Sequence, residues 1–397
     1  MSNNHGQKLA GKTAVITGGA TAERQQVDPR FTSRIVAANG QRIHLVEAGQ
    51  GPLVLFVHGF PEIWYSWRHQ LSALADAGYR AVAVDQRGYG RSSKPPHIHD
   101  YRITELVADL VGVVEALGET SATVVGHDWG ACVAWTAAWT RPEVFTSVVG
   151  LGAWGGRGLM CLPSSPFGER PQREVSRWIA GDGLIFYHEY FDIPGLMDAE
   201  FESDVRGWIE GALYSMSALP PAPPQLAGVN FAALSDEQIA EILRATPMCL
   251  RPGAKMRDKM LTPPPGALEA VFSREDIDHY VEAFERSGIT GPLNYYRCLE
   301  LDWELLGGYE GRPLQVPAQL IGGDRDIGTM WSQSAIRKLG THAPHARPSV
   351  VLENCGHWIQ QEQPQKVNSV LLQFLASDES SYITGVDLAV DGGMAQV

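Results

Sequence analysis

The fold is decided by the stretch Val124-Val-Gly-His-Asp128-Trp-Gly-Ala131. It ends a predicted strand and begins a predicted helix, with one glycine two residues before Asp128 and another two residues after it. Small residues at these places permit the strained strand-to-helix turn called a nucleophile elbow, which exposes its central side chain at the carboxyl edge of a sheet. The alternative is that Asp128 only caps the helix, a common role for aspartate.

An aspartate at the centre of the elbow selects the chemistry. A carboxylate can attack a saturated carbon and form an alkyl ester on the protein, and that ester supplies a carbonyl for water to attack. A serine would need to find its carbonyl in the substrate. Asp128 therefore indicates ring opening or displacement at saturated carbon, which means epoxides or alkyl halides.

Two further segments supply the groups that ester hydrolysis needs. His58-Gly59-Phe60 follows a predicted strand, and a turn there can aim the Phe60 amide at the same point as the Trp129 amide, which predicts an oxyanion hole. His357 follows a later strand and is predicted to activate water, with Asp326 holding its tautomer. Asp324 is the rival for the acid role.

The pattern along the chain predicts an α/β fold. Asn39-Gly40 joins two β-rich runs, 33–38 and 42–48, as a hairpin. Further strands are expected at 53–57, 81–84, 122–125, 147–151, 318–321 and 349–352, with helical patterns at 67–77 and 103–117. Residues 154–300 contain mostly helical stretches, which are predicted at 174–179, 199–216, 235–243 and 274–286. We therefore expect a parallel sheet covered by helices and interrupted by a helical lid.

The amino-acid composition limits the kinds of partner and the cellular location that we expect for this protein. The 32 Lys and Arg residues against 45 Asp and Glu residues give a net charge of −13, which argues against nucleic acid or an anionic membrane as a partner. No apolar stretch is long enough to span a bilayer. The five cysteines are odd in number and contain no CxxC, which disfavours a disulfide framework or a zinc site. We expect a cytoplasmic protein.

Five motifs together resemble the soluble epoxide hydrolases of the α/β-hydrolase fold: HGFPEIWYSWRHQL, DQRGYGRSS, GHDWGA, GGDRD and GHW. The resemblance covers residues 28 to 377. It implies a mostly parallel eight-stranded sheet with helices on both faces and a helical cap. It also implies a small apolar epoxide and water as reactants, no metal or organic cofactor, and a monomer or homodimer.

In that family two lid tyrosines donate hydrogen bonds to the epoxide oxygen, and the matching lid segments place them at Tyr187 and Tyr296. Other tyrosines of the same segments are expected to be packing residues. Aromatic residues near the motifs indicate an apolar or aryl substrate. The candidate substrate-binding residues are Trp64, Trp154, Phe186 and His188.

Two other functions share parts of this pattern. Haloalkane dehalogenases resemble this chain less closely, because they carry a halide-binding asparagine where this chain has Phe60. Among haloacid dehalogenases, fluoroacetate-type enzymes carry an arginine that holds a carboxylate where this chain has Trp129. A non-catalytic binding protein of the same fold would have lost a catalytic residue, and none is lost.

The two ends of the chain resemble fragments of a short-chain dehydrogenase, at residues 8–20 and 381–394. The chain lacks that family's Tyr-x-x-x-Lys pair and the later glycines of its nucleotide turn. We interpret the ends as remnants that flank a hydrolase. The expected division is a remnant at 1–27, core at 28–153, cap at 154–300, core at 301–377 and a remnant at 378–397.

Overall fold

The computed structural model describes residues 28–222 and 229–377. The two dehydrogenase-like ends lie outside the described residues, so their role stays a prediction. No helix in the described ranges is long and apolar enough to cross a membrane.

Eight strands form one mixed sheet in the order β1-β2-β4-β3-β5-β6-β9-β10. The pairs β1/β2 and β2/β4 are antiparallel and all other neighbours are parallel, as the resemblance implies. Two short strands, β7 and β8, pair separately. The strands are β1 Thr32–Ala38, β2 Gln41–Ala48, β3 Leu53–Val57, β4 Arg80–Val84, β5 Ala122–His127, β6 Phe145–Leu151, β7 Ile185–Phe186, β8 Cys249–Leu250, β9 Ala318–Gly323 and β10 Val350–Leu352.

The predicted strands are confirmed, and the physical reasons are local. Asn39 and Gly40 both adopt positive φ, at 46° and 71°, which is the backbone that a two-residue hairpin turn requires. Every residue of Leu53–Val57 is buried, as expected for a strand covered on both faces.

Helices cover the sheet in two groups, α2 with α3 and α1 with α14 and α15. Helices α4 to α11 lie between β6 and β9 in the sequence. The helices are α1 Arg68–Asp76, α2 Ile103–Ala116, α3 Trp129–Thr140, α4 Gln172–Ala180, α5 Tyr187–Asp192, α6 Leu196–Ser203, α7 Val205–Met216, α8 Asp236–Arg244, α9 Arg274–Ser287, α10 Thr290–Arg297, α11 Leu299–Leu305, α12 Ile327–Trp331, α13 Gln333–His342, α14 Ile359–Glu362 and α15 Pro364–Leu375.

Two features differ from the pattern expected of the cap. The continuous helix expected over 199–216 is broken at Asp204, whose side chain accepts a hydrogen bond from the Gly207 amide and so starts a new helix, α7. Helix α11 runs across the expected boundary between residues 300 and 301.

A buried ion pair fixes the loop that follows β4. Arg87 is 1% exposed and donates from Nε and Nη2 to the two carboxylate oxygens of Asp109 on α2, both at 2.6 Å. The Arg87 carbonyl accepts a hydrogen bond from the Tyr295 hydroxyl of α10 at 2.9 Å. The pair therefore joins the core to the helix that carries Tyr296.

Arg87→Met is expected to lower the free energy of unfolding by about 3 kcal/mol or more, because it leaves the Asp109 carboxylate buried without its cation. The double variant Arg87→Met with Asp109→Leu removes both charges and should recover much of the loss. Urea unfolding of the three proteins measures both effects. A single variant as stable as wild type would contradict the role given to the pair.

Candidate active site

Asp128 lies at the strained turn between β5 and α3. Its φ of 52° and ψ of −120° are rare for a residue with a side chain. The neighbouring chain segments leave no room for side chains: a Cβ on Gly126 would lie 2.1 Å from the Gly130 carbonyl oxygen, and one on Gly130 would lie 2.1 Å from that of Val57. The elbow therefore requires both glycines.

The Asp128 carboxylate is held by the backbone of the loop after β3. The Phe60 amide donates to Asp128 Oδ1 at 2.8 Å, and a Cβ on Gly59 would lie 2.5 Å from Asp128 Cβ. The Asp128 side chain makes no capping hydrogen bond to α3, so the helix-cap interpretation does not describe it. The Trp129 amide also donates to the Asp128 carboxyl group, so both amides of the predicted oxyanion hole contact this side chain.

His357 lies between two carboxylates. Its Nδ1 is 2.8 Å from Asp326 Oδ1, and its Nε2 is 3.8 Å from Asp128 Oδ2. Nε2 is buried and has no hydrogen-bond partner within the described ranges. This arrangement leaves one imidazole nitrogen fixed by Asp326 and the other facing Asp128.

The structure brings Asp326, rather than Asp324, to His357. Asp326 is fully buried and also accepts hydrogen bonds from the Gly328 and Thr329 amides at the start of α12. Asp324 instead accepts from the Cys355 amide at 3.1 Å. One aspartate therefore caps a helix and orients the histidine at the same time.

The pKa values of Asp128, His357 and Asp326 follow from their burial and from the position of His357 between the two carboxyl groups. Burial raises the pKa of Asp128, against the opposing effect of His357. Burial alone would lower the pKa of His357, but the charges of Asp326 and Asp128 more than offset it and raise that pKa to about 9. For Asp326 burial is likewise outweighed by His357, and its pKa is lowered. His357 thus lies between two carboxyl groups that both favour its protonated form.

Tyr187 and Tyr296 come together beside the elbow. Their ring centroids are 5.8 Å apart, and the Tyr296 ring lies edge-on to Trp129 at 5.1 Å. Burial raises the pKa of both hydroxyls well above the usual value, and the Asp128 carboxylate adds to the effect. Both phenols thus stay protonated and can donate a proton or a hydrogen bond.

The neighbouring tyrosines make other contacts. The Tyr190 hydroxyl donates to Glu200, and the Tyr295 hydroxyl donates to the Arg87 carbonyl. Both side chains are buried. The structure places these two residues in packing positions rather than beside Asp128.

The four predicted substrate-binding residues divide into two pairs. Phe186 and His188 contact Tyr187, with ring centroids at 4.8 Å and 4.4 Å. Trp64 packs instead on Phe31, Tyr65 and His279, and Trp154 stacks on Trp135 at 4.2 Å. The structure therefore does not bring Trp64 and Trp154 together with the tyrosine pair, because the loop after β3 and the end of β6 turn them elsewhere.

His188 is polar in an aromatic environment. It is 4% exposed, and neither ring nitrogen has a hydrogen-bond partner within the described part of the chain. Burial lowers the pKa of His188 to about 3, so the ring is neutral. A neutral imidazole offers one donor and one acceptor to whatever occupies the space beside Tyr187 and Tyr296.

One buried network was missed from the sequence. Glu62 accepts from the Gly59 amide at 2.9 Å and contacts His127 Nδ1 at 2.7 Å, and His127 Nε2 lies 2.8 Å from the His357 carbonyl oxygen. Burial raises the pKa of Glu62, but His127 outweighs it and the pKa falls to about 2. The network links the oxyanion loop, the elbow and His357. In the sequence, the network is indicated by two residues of the motifs, Glu62 of HGFPE and His127 of GHDW.

The described ranges contain no group of three or more His, Cys, Asp or Glu side chains arranged to hold a metal ion.

Comparison with known proteins gives one consistent result. A family model described as the alpha/beta hydrolase fold matches residues 52–364. Epoxide hydrolase B of Mycobacterium tuberculosis is 45% identical over 348 residues, covering 86% of this chain and 97% of that protein. Epoxide hydrolase 3 of Siraitia grosvenorii is 34% identical, covering 86% and 96%.

Solved structures that resemble this chain are also epoxide hydrolases. An epoxide hydrolase from an endophytic Streptomyces is 44% identical with a TM-score of 0.76, covering 88% of this chain and 96% of that one. Potato (Solanum tuberosum) epoxide hydrolase I is 31% identical with a TM-score of 0.72, covering 87% and 99%. With the family model, these likenesses establish that the chain belongs to the epoxide hydrolases of the α/β-hydrolase fold.

Proposed function

We propose that this chain opens a small apolar epoxide to a vicinal diol through an alkyl ester on Asp128. The observation that carries the proposal is the placement of the two Asp128 oxygens: Oδ1 accepts from the Phe60 amide, while Oδ2 faces His357. Beside them lie two buried, protonated phenols. A carboxylate nucleophile and two neutral acids are what opening an oxirane requires.

In the first half-reaction, Asp128 Oδ2 attacks one ring carbon and the carbon–oxygen bond breaks. The electron pair goes to the ring oxygen, which is held by the hydroxyls of Tyr187 and Tyr296 and takes a proton from one of them. Phenols suit this step because their raised pKa values keep them protonated until alkoxide charge develops. Phe186 and His188 line the same space.

In the second half-reaction, His357 takes a proton from water and the water oxygen attacks the ester carbonyl. The amides of Phe60 and Trp129 stabilise the resulting oxyanion. Asp326 stabilises the imidazolium through its 2.8 Å contact with Nδ1. Collapse of the tetrahedral intermediate breaks the bond between the carbonyl carbon and the alkyl oxygen, and the His357 imidazolium protonates that oxygen to release the diol. The proton of the new carboxyl group returns to the phenolate left by ring opening, which restores the Asp128 carboxylate and the neutral tyrosine.

The charge of Asp128 also sets the pKa of His357 before and after the ester forms. Asp128 contributes to the raised pKa of His357 in the free enzyme, and the ester removes that negative charge. The pKa of His357 then falls, and the ring loses its proton more readily when a base is needed.

The packing of Phe60 argues against a dehalogenase. Phe60, at the position of a halide-binding asparagine, packs its ring against Tyr296 at 5.3 Å and Phe191 at 5.6 Å. The tyrosine pair supplies donors for an oxygen leaving group instead. A non-catalytic protein is equally unsupported, since each group of the mechanism is in place.

We also propose that the enzyme acts in the cytoplasm as a monomer or homodimer. All five cysteines are free and buried, which suits a reducing compartment. The acidic net charge suits a protein without nucleic-acid partners.

Asp128→Ala is expected to abolish turnover of styrene oxide, because no other group can form the ester. His357→Gln should still form it but fail to hydrolyse it. Mass spectrometry of the His357→Gln protein should then show one added substrate mass, and digestion should assign that mass to the peptide that contains Asp128. Wild-type turnover by Asp128→Ala would refute the mechanism.

Replacing Tyr187 and Tyr296 together by phenylalanine should slow ring opening by about 10²-fold or more, the usual contribution of a general acid. Substrate binding should change little, since ring size is preserved. Pre-steady-state measurement of ester formation separates the two effects. Tyr190→Phe, in the same helix as Tyr187, is the matched control and should react at the wild-type rate. Equal rates for all three proteins would refute the tyrosine assignment.

The pKa of His357, about 9 in the free enzyme, should fall in Asp128→Asn, which removes the same negative charge that ester formation removes. Asp324→Asn, which removes a carboxylate that does not contact His357, should leave it unchanged. NMR titration of His357 gives all three values. Ester hydrolysis should correspondingly slow as the pH falls through the lower pKa. An unchanged or higher pKa in Asp128→Asn would contradict the timing argument.

A further inference from the structure

The loop that carries His357 rests on the end of α7. The His357 amide donates to the Met216 carbonyl at 2.8 Å, and Trp358 Nε1 donates to the Leu213 carbonyl at 2.9 Å. Residues 213–220, here called the anchor segment, belong to the helical insertion between β6 and β9. The loop therefore contacts the insertion as well as the sheet.

The anchor segment is itself held against this loop. A Cβ on Gly356 would lie 2.4 Å from the Ser217 carbonyl carbon, so the two backbones are in direct contact. Arg325, in the turn after β9, donates to the Ala218 carbonyl at 2.6 Å and also to the Pro220 carbonyl. The anchor segment is thus fixed by the loops that follow β9 and β10.

One carboxyl group joins the anchor segment to both neighbours of His357. Glu362 Oε2 accepts from the Gly356 amide at 3.0 Å and from the Ala218 amide at 2.8 Å. Its Oε1 accepts from the Trp358 amide at 3.0 Å. Because Gly356 and Trp358 flank His357 in the sequence, Glu362 holds the backbone on both sides of the histidine.

The three contacts require a carboxyl group with two acceptor oxygens. An ionised carboxylate only accepts hydrogen bonds, so it can serve three amides without offering a proton in return. Burial raises the pKa of Glu362, and the three amides and His357 oppose that rise. A glutamine at this position would have one acceptor oxygen and would turn its NH₂ group toward an amide that also donates, so at least one contact would be lost.

We propose that Glu362 is a positioning residue for hydrolysis of the ester. Asp326 orients the His357 ring through Nδ1, and the contacts of Glu362 place the backbone from which that ring extends. His357 Nε2 lies 3.8 Å from Asp128 Oδ2, so a shift of this backbone moves the base relative to the carbonyl that water attacks. A displacement of about 1 Å can slow a catalytic step about 100-fold.

This inference rests on the proposed function, because it assigns Glu362 to one of the two half-reactions. Ring opening uses Asp128 and the two phenols, whereas hydrolysis alone uses His357 as a base. Loss of the Glu362 contacts is therefore expected to slow hydrolysis and to leave ring opening nearly unchanged. A residue that only supports the fold would change both steps together or neither.

Rapid-quench mass spectrometry of Glu362→Gln with styrene oxide tests the inference, because it follows formation and decay of the ester separately. Ester decay should slow by about tenfold or more, and the ester should accumulate on the peptide that contains Asp128. Arg325→Met keeps Glu362 but removes two contacts that hold the anchor segment, and it should slow ester decay in the same selective way.

Glu200→Gln is the matched control. Glu200 is also a buried carboxyl group that accepts from two backbone amides, those of Met256 and Arg257, and from the Tyr190 hydroxyl. These three partners all belong to the insertion between β6 and β9 and not to the loop that carries His357. Glu200→Gln should therefore form and hydrolyse the ester at wild-type rates.

Wild-type ester decay in folded Glu362→Gln, or equal slowing of both half-reactions, would overturn the inference. If circular dichroism shows that Glu362→Gln does not fold, Arg325→Met decides by the same criterion. Failure of the proposed function has a different signature: wild type itself would form no ester on Asp128, and the inference would fail with it.

Discussion

The close approach of two backbone segments, the loop after β3 and the turn between β5 and α3, is the constraint on which the site depends. A Cβ at Gly59 would lie 2.5 Å from Asp128 Cβ, and one at Gly130 would lie 2.1 Å from the Val57 carbonyl oxygen. Because the segments touch, the Phe60 amide reaches the Asp128 carboxylate at 2.8 Å. The strained backbone of Asp128, at a φ of 52°, brings the proposed nucleophile and the Phe60 amide to one point.

Charge organises the rest of the site around this contact. His357 lies between Asp128 and Asp326, and both carboxylates raise its pKa. Asp326 is held in turn by the first amides of α12, so the imidazole is oriented by a helix end as well as by a charge. Glu62 and His127 tie the backbone of His357 to the same two segments. A displacement of one catalytic group would therefore disturb the others.

The hairpin, the sheet and the elbow could be predicted because each depends on a short stretch of sequence. Asn39-Gly40 requires positive φ, and the strand 53–57 is apolar throughout, so the hairpin and the sheet followed from short stretches of sequence. Asp128, with glycines at both flanks, predicted the elbow.

Other features depended on contacts between distant segments. No local pattern separates Asp326 from Asp324, since the choice rests on a 2.8 Å contact with a residue 31 positions away. The helix α10 around Gly291-Pro292 has weak helical propensity and is held by burial against the core. Trp64 and Trp154 are close to motifs in sequence, yet their rings face other aromatic residues.

The central claim is that the oxygen added to the product comes from Asp128 in the first turnover. A single turnover of styrene oxide in H₂¹⁸O, with enzyme in excess, tests it directly by mass spectrometry of the diol and of the peptide that contains Asp128. The account predicts an unlabelled diol and ¹⁸O in the Asp128 carboxylate, because water attacks the ester carbonyl. Label in the first diol with none in Asp128 would mean that water opens the epoxide directly, and would contradict the account.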